Sequence, residues 1–158
     1  MRETSGGPFD LIMLIGNSLS MLPTHDDVRQ ALAAISRQLE PRGMAFVHAV
    51  NYHPLEIGQP KHKVARKELP DGEAVVVKNM IPTGRDGAVL VAFGYFVRRS
   101  ARWTVWGSES TLLNLSERFL VDAASRAGLS VEGEYGDYDR SAFNMEISPD
   151  LLLLLRKP

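Results

Sequence analysis

Two short apolar segments on either side of one amphipathic helix constrain this chain more than any other feature. Phe9 to Ile15 form a nearly continuous apolar run that is followed by Gly16-Asn17-Ser18, and Met44 to Val50 form a second run. An apolar run without polar alternation is typical of a strand covered on both faces, as in a parallel sheet. We therefore predict a buried strand over residues 9–15 and a second strand over residues 44–50.

The segment between these strands has the signals of a helix. Thr24 is a favourable N-cap, and Asp27 stands at the reciprocal capping position. Apolar residues then recur on one helical face: Val28, Leu32, Ile35 and Leu39. Pro41-Arg42-Gly43 predicts the end of the helix. A strand, a helix and a strand joined by short connections predict a right-handed crossover, and hence a parallel sheet with the helix on its face.

The middle of the chain departs from this pattern. The polar stretch from Glu56 to Asp71 gives no strand signal, whereas the next forty residues or so predict an antiparallel meander inserted over about residues 74–113. The expected strands of this meander are Ala74 to Ile81, Ala88 to Val97 and Arg102 to Leu113. A hairpin turn is expected at Gly84 to Gly87.

The last third of the chain returns to mixed structure. Ser116 is predicted to cap a helix that runs to Ala127, and Gly128 suits the left-handed position after its end. Two more strands are expected, Val131 to Tyr135 and Leu151 to Leu155. With 158 residues and no visible linker, the chain is expected to form a single domain over residues 1–158.

Composition and charge exclude several classes of function. Eighteen Lys and Arg against nineteen Asp and Glu leave a net charge of −1 and no basic stripe, so we expect no nucleic-acid partner. The longest apolar runs have five or six residues, far below a membrane span, so we expect a soluble protein with the cytoplasm as its default compartment.

Metal and nucleophile signals are weak as well. The chain has no Cys, which excludes disulfides, thiolate metal sites and a Cys nucleophile. Its histidines have no metal-binding spacing, and we expect no metal; they are His25, His48, His53 and His62. Neither a nucleophile elbow nor a phosphate-binding glycine loop is present. Hydrolase and nucleotidase functions therefore lose their usual support.

Position in the predicted sheet is the remaining functional signal. Gly16-Asn17-Ser18 and Asn51-Tyr52-His53 follow the two predicted parallel strands, and open α/β sheets bind ligands at the carboxyl ends of such strands. We expect the two polar clusters to converge there. The alternative is that Asn17 and Ser18 merely begin a turn, and the pattern alone leaves both possibilities open.

A resemblance adds to this interpretation. The order and spacing of several short motifs are similar to the second half of class I S-adenosylmethionine (SAM)-dependent methyltransferases, particularly those of the glycine N-methyltransferase-like group. The motifs are Phe9-Asp10-Leu11-Ile12, Leu14-Ile15-Gly16-Asn17-Ser18-Leu19, Leu39-Glu40-Pro41-Arg42-Gly43-Met44, Asn51-Tyr52 and Ala127-Gly128-Leu129. The resemblance runs along the whole chain.

The resemblance implies a definite fold. It predicts an α/β structure, namely the C-terminal half of a Rossmann-like methyltransferase sheet with strands in the order 4-5-7-6 and an inserted antiparallel β-meander. Residues 9–15 match strand 4, so the cofactor-binding N-terminal half of such a domain is absent from this chain, and the single domain over residues 1–158 is a partial one. Strand 4 is then expected to be an edge that invites a second copy or the missing half, which predicts a homo-oligomer joined through residues 9–15.

The resemblance also implies site residues. Its cofactor-binding positions match Ile15, Gly16 and Ser18. Its acceptor-binding positions match Asn17, Asn51, Tyr52 and Arg102, the last through a loose alignment of the meander. No catalytic residue is assigned, because in-line displacement at a sulfonium methyl depends mostly on alignment and exclusion of water.

The expected function is SAM-dependent methyl transfer to a small-molecule acceptor, with this chain as the C-terminal part of the enzyme. On its own the chain is expected to bind SAM weakly or not at all and to have little or no activity. The alternative is a catalytically inactive domain that serves only as a binding or oligomerisation module.

Overall fold

The computed structural model describes residues 7–55, 57–83 and 87–158. The chain forms two compact units. The first unit combines the part up to Pro54 with Leu113–Pro158, and the second is Leu55–Leu112.

The first unit carries a four-stranded mixed sheet and two α-helices. Its elements are β1 (Phe9–Leu14), a 3-10 helix (Ser18–Met21), α1 (His25–Gln38), β2 (Leu39–Val50), α2 (Glu117–Arg126), β7 (Ser130–Tyr135) and β8 (Asp150–Arg156); strands β3 to β6 belong to the second unit. The strand order is β1-β2-β8-β7. β1 and β2 are parallel, and β8 is antiparallel to both of its neighbours. This confirms the predicted parallel pair and matches the order of four strands that the resemblance implied.

Both helices pack on one face of this sheet. Alternate residues of β2 and β8 point to that face and form one apolar core with α1 and α2; the core includes Val28, Leu32, Ala45, Val47, Leu120, Ala124, Leu151 and Leu153. Burial of the Val and Leu side chains of this core stabilises the unit by roughly 1.5–3 kcal/mol each. The core therefore fixes the relative positions of the strand ends that carry the candidate site.

The helix boundaries follow the capping residues named from the sequence. The Thr24 hydroxyl accepts a hydrogen bond from the Asp27 amide at 3.1 Å. The Ser116 hydroxyl accepts one from the Phe119 amide at 3.2 Å. Gly128 has φ +77°, in the left-handed region that favours glycine after a helix. Both predicted N-caps and the predicted end of α2 are confirmed.

The expectation that residues 9–15 form a strand buried on both faces is wrong. β1 is an edge strand, and Leu11, Met13 and Ile15 are 52%, 58% and 56% exposed. Ile12 and Leu14 pack against the core, because α1 and α2 cover only their side of the sheet. The apolar sequence therefore predicted the strand correctly but its burial incorrectly, since the described residues leave the other face of β1 largely exposed.

β2 begins five residues earlier than predicted, because Pro41-Arg42-Gly43 does not end the secondary structure. Arg42 adopts a left-handed conformation with φ 68°, and the pairing of β1 with β2 shifts register between Phe9 and Leu11. A Cβ on Gly43 would lie 2.9 Å from the Phe9 carbonyl oxygen, so glycine permits the close approach. The predicted break is an irregularity within β2.

The second unit is an antiparallel sheet of four strands in the order β3-β4-β5-β6. The strands are β3 (Lys61–Leu69), β4 (Gly72–Pro82), β5 (Ala88–Arg99) and β6 (Arg102–Leu113). Three of them agree with the predicted meander. β3 lies in the stretch for which we predicted no strand, and its residues are nearly all exposed, so no alternation of apolar residues marks it. The hairpin turn predicted at Gly84 to Gly87 lies outside the described residues except for Gly87. Among the helices of the described ranges, none has the length and apolar character to cross a membrane.

Candidate functional site

The loop after β1 is the centre of the candidate site. Gly16 and Asn17 both have left-handed conformations, with φ 71° and 64°, and the 3-10 helix begins at Ser18. Because β1 and β2 are parallel, their carboxyl ends lie at the same edge of the sheet. Ile15, Gly16 and Ser18, the residues matched to cofactor-binding positions, are exposed, whereas Asn17 between them is buried.

The Asn17 side chain holds this loop against the neighbouring strand. Its Oδ1 accepts hydrogen bonds from the Ser20 hydroxyl at 2.8 Å and from the Val50 amide at 3.0 Å. Its Nδ2 donates to the Tyr52 hydroxyl at 3.1 Å. The two polar clusters therefore do converge, as the strand order predicted. Asn17 is also one of the few residues other than glycine that tolerate a left-handed backbone, because its short polar side chain can bond locally.

Tyr52 is the buried end of this network. Its side chain is 2% exposed. Burial raises the pKa of Tyr52 to about 12; the bond from Asn17 lowers the pKa, and the negative charge of Asp150 raises it further. The phenol is therefore neutral across the physiological range and acts as a hydrogen-bonding group. Its predicted contact with a methyl acceptor stays a prediction.

Asn51 points toward the segment that leads into β8. Its Nδ2 donates to the carbonyl oxygens of Met145 and Ser148, each at 2.8 Å, and its Oδ1 accepts from the His53 amide at 3.1 Å. These bonds assign Asn51 a structural task in this structure. An additional contact with the acceptor remains a prediction for this residue.

Arg102 lies at the start of β6, in the second unit, and is exposed. The other predicted site residues are all in the first unit. Its role in binding an acceptor therefore rests on the resemblance alone.

The structure adds one histidine that the sequence did not single out. His48 Nδ1 accepts a hydrogen bond from the Gly16 amide at 3.1 Å, and its Nε2 lies 3.1 Å from Asp150 Oδ1. The Tyr138 hydroxyl lies 3.2 Å from the same Nδ1. The alternation of β2 places His48 on the face away from the helices, which is the signal that could have indicated it. The sequence could not indicate its partners, because Asp150 is 102 residues away along the chain.

A cavity of about 270 Å³ opens on the face of the sheet away from the helices. It is lined by Phe46, Tyr135, Asp137, Tyr138, Arg140, Leu152 and Leu154. Its apolar floor and polar rim are of the kind that binds small molecules. In the described part of the chain, no three His, Cys, Asp or Glu side chains form a group that could hold a metal ion.

Several solved structures share this fold. A SAM-dependent methyltransferase from Clostridium acetobutylicum matches with a TM-score of 0.79 and 14% identity, over 98% of this chain and 60% of that one. An amino pentose methyltransferase from Micromonospora echinaspora, solved with SAM bound, matches with a TM-score of 0.76, 17% identity and coverage of 98% and 61%. A sugar N-methyltransferase from Streptoalloteichus matches with a TM-score of 0.75, 15% identity and coverage of 98% and 59%.

These likenesses establish a fold shared with SAM-dependent methyltransferases. The chain spans about three fifths of the length of those structures. No protein-family model matches the chain, and no curated protein does.

Proposed function

We propose that the protein transfers the methyl group of SAM to a small-molecule acceptor, and that this chain forms the part of the enzyme that contains strands 4 to 7. The observation that carries the proposal is the loop after β1. Ile15, Gly16 and Ser18 of this loop are exposed, and Asn17 anchors it by hydrogen bonds. The loop lies at the carboxyl edge of the parallel strand pair in a methyltransferase fold.

The residues of the loop fit a bound cofactor. Nothing lies within 4 Å of the position that a Cβ on Gly16 would take, so the backbone there is open to close approach by a ligand. Ile15, Gly16 and Ser18 would hold SAM, whose sulfonium supplies the methyl group. Asn17 and Tyr52 keep the loop in place, and rigid alignment is the main requirement of an in-line displacement.

Polypeptide outside the described residues completes the cofactor site in this proposal. The resemblance assigns most cofactor contacts to strands 1 and 2, and the exposed edge of β1 is where strand 1 would pair. Two of the structural neighbours are described as an amino pentose methyltransferase and a sugar N-methyltransferase. We therefore propose that the acceptor carries an amino group and that the enzyme is similar to the glycine N-methyltransferase-like group.

The test is methyl transfer from SAM with a deuterated methyl group, supplied at millimolar concentration because weak binding is expected. Mass spectrometry would follow labelled product from a panel of primary amines, secondary amines and alcohols. A low but detectable yield of labelled product from at least one acceptor is the expected result, because this chain supplies only part of the proposed cofactor site. No product, together with no binding of S-adenosylhomocysteine, would contradict the proposal and favour a non-catalytic binding module.

A matched pair of glycine variants tests the location of the site. Gly16→Ala and Gly58→Ala each place a methyl group in open space at a left-handed residue, with φ 71° and 76°. Both should cost roughly 1–2 kcal/mol of stability. Only Gly16→Ala should lower methyl transfer, since Gly58 lies in the second unit; equal losses in both variants would place the site elsewhere.

A further inference from the structure

One imidazole joins three parts of the first unit at the candidate site. His48 Nε2 lies 3.1 Å from Asp150 Oδ1, and its Nδ1 lies 3.1 Å from the Gly16 amide nitrogen and 3.2 Å from the Tyr138 hydroxyl. Asp150 is the first residue of β8 and pairs in register with Val50. The imidazole is therefore bonded to the residue between the exposed Ile15 and the buried Asn17.

The partners of His48 determine which of its nitrogens carries the proton. The Gly16 amide can only donate, so Nδ1 presents a lone pair. Nε2 then carries the hydrogen and donates it to the Asp150 carboxylate, and the Tyr138 hydroxyl is a second donor that shares the single Nδ1 lone pair with the Gly16 amide. The oxygen of Tyr138 keeps its own lone pairs for a further partner.

The two ends of this network differ in how far they are exposed to solvent. The side chains of His48 and Asp150 are only 12% and 23% exposed, so water screens their interaction weakly. Tyr138 is 60% exposed, and its ring lies edge-on to the imidazole with centroids 5.7 Å apart. The hydrogen-bonded chain therefore runs from a shielded carboxylate through the imidazole to a hydroxyl that a bound molecule can reach.

We propose that His48 accepts the proton that the methyl acceptor gives up, by way of the Tyr138 hydroxyl. Asp150 is the positioning residue that orients the imidazole through Nε2. This inference rests on the proposed function and adds a requirement for the acceptor: its nucleophile, such as the proposed amino group, carries a removable proton. An acceptor such as a thioether has no such proton.

The step balances. The acceptor's lone pair forms the new bond to the methyl carbon, and the electrons of the broken carbon–sulfur bond remain on sulfur. The acceptor's proton passes to Tyr138 Oη while the Tyr138 proton passes to His48 Nδ1, which gives up the bond from the Gly16 amide until the proton leaves. The imidazolium later releases a proton to solvent. Proton transfer of this kind contributes roughly 10²- to 10⁴-fold to a rate.

The geometry favours this role over a purely structural hydrogen bond between strands. A structural link between β2 and β8 needs only the contact between His48 and Asp150. Here the other nitrogen of the ring, which such a link does not use, faces the exposed hydroxyl of Tyr138 and the backbone of the loop that we propose holds the cofactor.

The first test needs no activity. Long-range ¹H–¹⁵N NMR of the labelled full chain at neutral pH reports which nitrogen of each histidine is protonated, and the His48→Asn variant assigns the His48 signals. The expected result is a neutral ring protonated at Nε2. A ring protonated at Nδ1 would overturn the proton step and leave the proposed function untouched.

The second test compares methyl transfer among variants at millimolar SAM. His48→Asn keeps an acceptor oxygen near the place of Nδ1 and so retains a partner for the Gly16 amide, but it cannot take up a proton. It should lower the rate of transfer about 10²-fold or more. His62→Asn, a histidine replaced in the second unit, is the matched control and should retain the rate.

Two further variants separate the parts of the network. Tyr138→Phe removes the hydroxyl and should lower the rate as His48→Asn does. Asp150→Asn keeps an acceptor for Nε2 but removes the charge, so the rate should fall about tenfold while the tautomer seen by NMR is unchanged. Melting temperature and S-adenosylhomocysteine binding, measured for every variant, separate these effects from misfolding.

The outcomes distinguish the two proposals. Transfer in the wild-type chain that persists in His48→Asn would overturn the proton step alone. A wild-type chain without transfer to any acceptor and without S-adenosylhomocysteine binding would overturn the proposed function and the proton step with it. Binding without transfer would contradict the assignment of the acceptor side to this chain.

Discussion

At the scale of single residues, the bond between Asn17 and Tyr52 holds the candidate site together. Both side chains are buried, and a buried donor that loses its partner costs roughly 1–3 kcal/mol. Tyr52→Phe should therefore lower the free energy of unfolding by about that amount at neutral pH, because Asn17 Nδ2 loses its acceptor. Tyr95→Phe in the second unit is the matched hydroxyl deletion. Chemical denaturation of the three proteins measures the difference, and equal stabilities for both variants would contradict this account.

The raised pKa of Tyr52 gives a second expectation at this scale. A phenol with a pKa of about 12 in the folded chain and about 10 when unfolded is neutral in both states below pH 10, so its contribution is complete there. Between pH 10 and 12 the unfolded state ionises first, and the contribution is lost, up to about 2.7 kcal/mol. The difference in unfolding free energy between wild type and Tyr52→Phe should shrink over that range. A difference that is constant with pH would contradict the assignment.

Asn17 and Arg102 test the predicted acceptor contacts. Asn17→Ala removes three hydrogen bonds that fix the loop, and a displacement of about 1 Å in a site can cost about a hundredfold in rate. Arg102→Ala changes an exposed residue of the second unit and should have the smaller effect on methyl transfer. Negligible effects of both changes would leave these two assignments without support.

At the scale of elements, the helix caps are the most local determinants of structure. Ser116→Ala should destabilise the first unit by about 1 kcal/mol, since the Phe119 amide loses the side-chain oxygen that it bonds at 3.2 Å. Ser125→Ala, at an exposed position within α2, makes the same chemical change and should be neutral or slightly stabilising because alanine favours helices. Thermal unfolding of the two variants would show the contrast, and an equal loss in both would refute a specific role for the cap.

The elements also show where sequence reasoning succeeds. Thr24, Ser116 and Gly128 act within a few residues of themselves, so their patterns predicted the start of α1 and both ends of α2. β3 was missed because Lys61–Leu69 is exposed and is held by pairing with β4 rather than by an apolar face. The convergence of Asn17 with Tyr52 followed from strand order. The contacts of His48 depend on residues in β8 and in the preceding loop, and no local pattern encodes them.

At the scale of the whole molecule, β1 presents an apolar edge. Its outer face carries Leu11, Met13 and Ile15, each more than half exposed, and it has no Lys or Pro between Phe9 and Leu14 to discourage pairing. We propose that this edge is covered in solution, by the strand that completes the sheet or by a second copy of the chain.

Met13→Lys tests this proposal. Size exclusion with light scattering should show an oligomer for the wild-type chain alone, and the charge placed on the edge should shift the population toward monomer. Thr104→Lys, an exposed substitution on β6, is the matched control. A wild-type monomer at tens of micromolar whose stability Met13→Lys does not alter would contradict the proposal that an exposed edge drives association.

The most direct test of the central claim is an NMR titration of the full chain with S-adenosylhomocysteine up to millimolar concentration. The claim is that the carboxyl edge of β1 and β2 binds the cofactor. It predicts weak binding, with the largest amide shifts at Gly16, Asn17 and Ser18, smaller shifts at Tyr52, and a reduced response in Gly16→Ala but not in Gly58→Ala. No shifts at this edge, or shifts confined to residues 57–112, would contradict it.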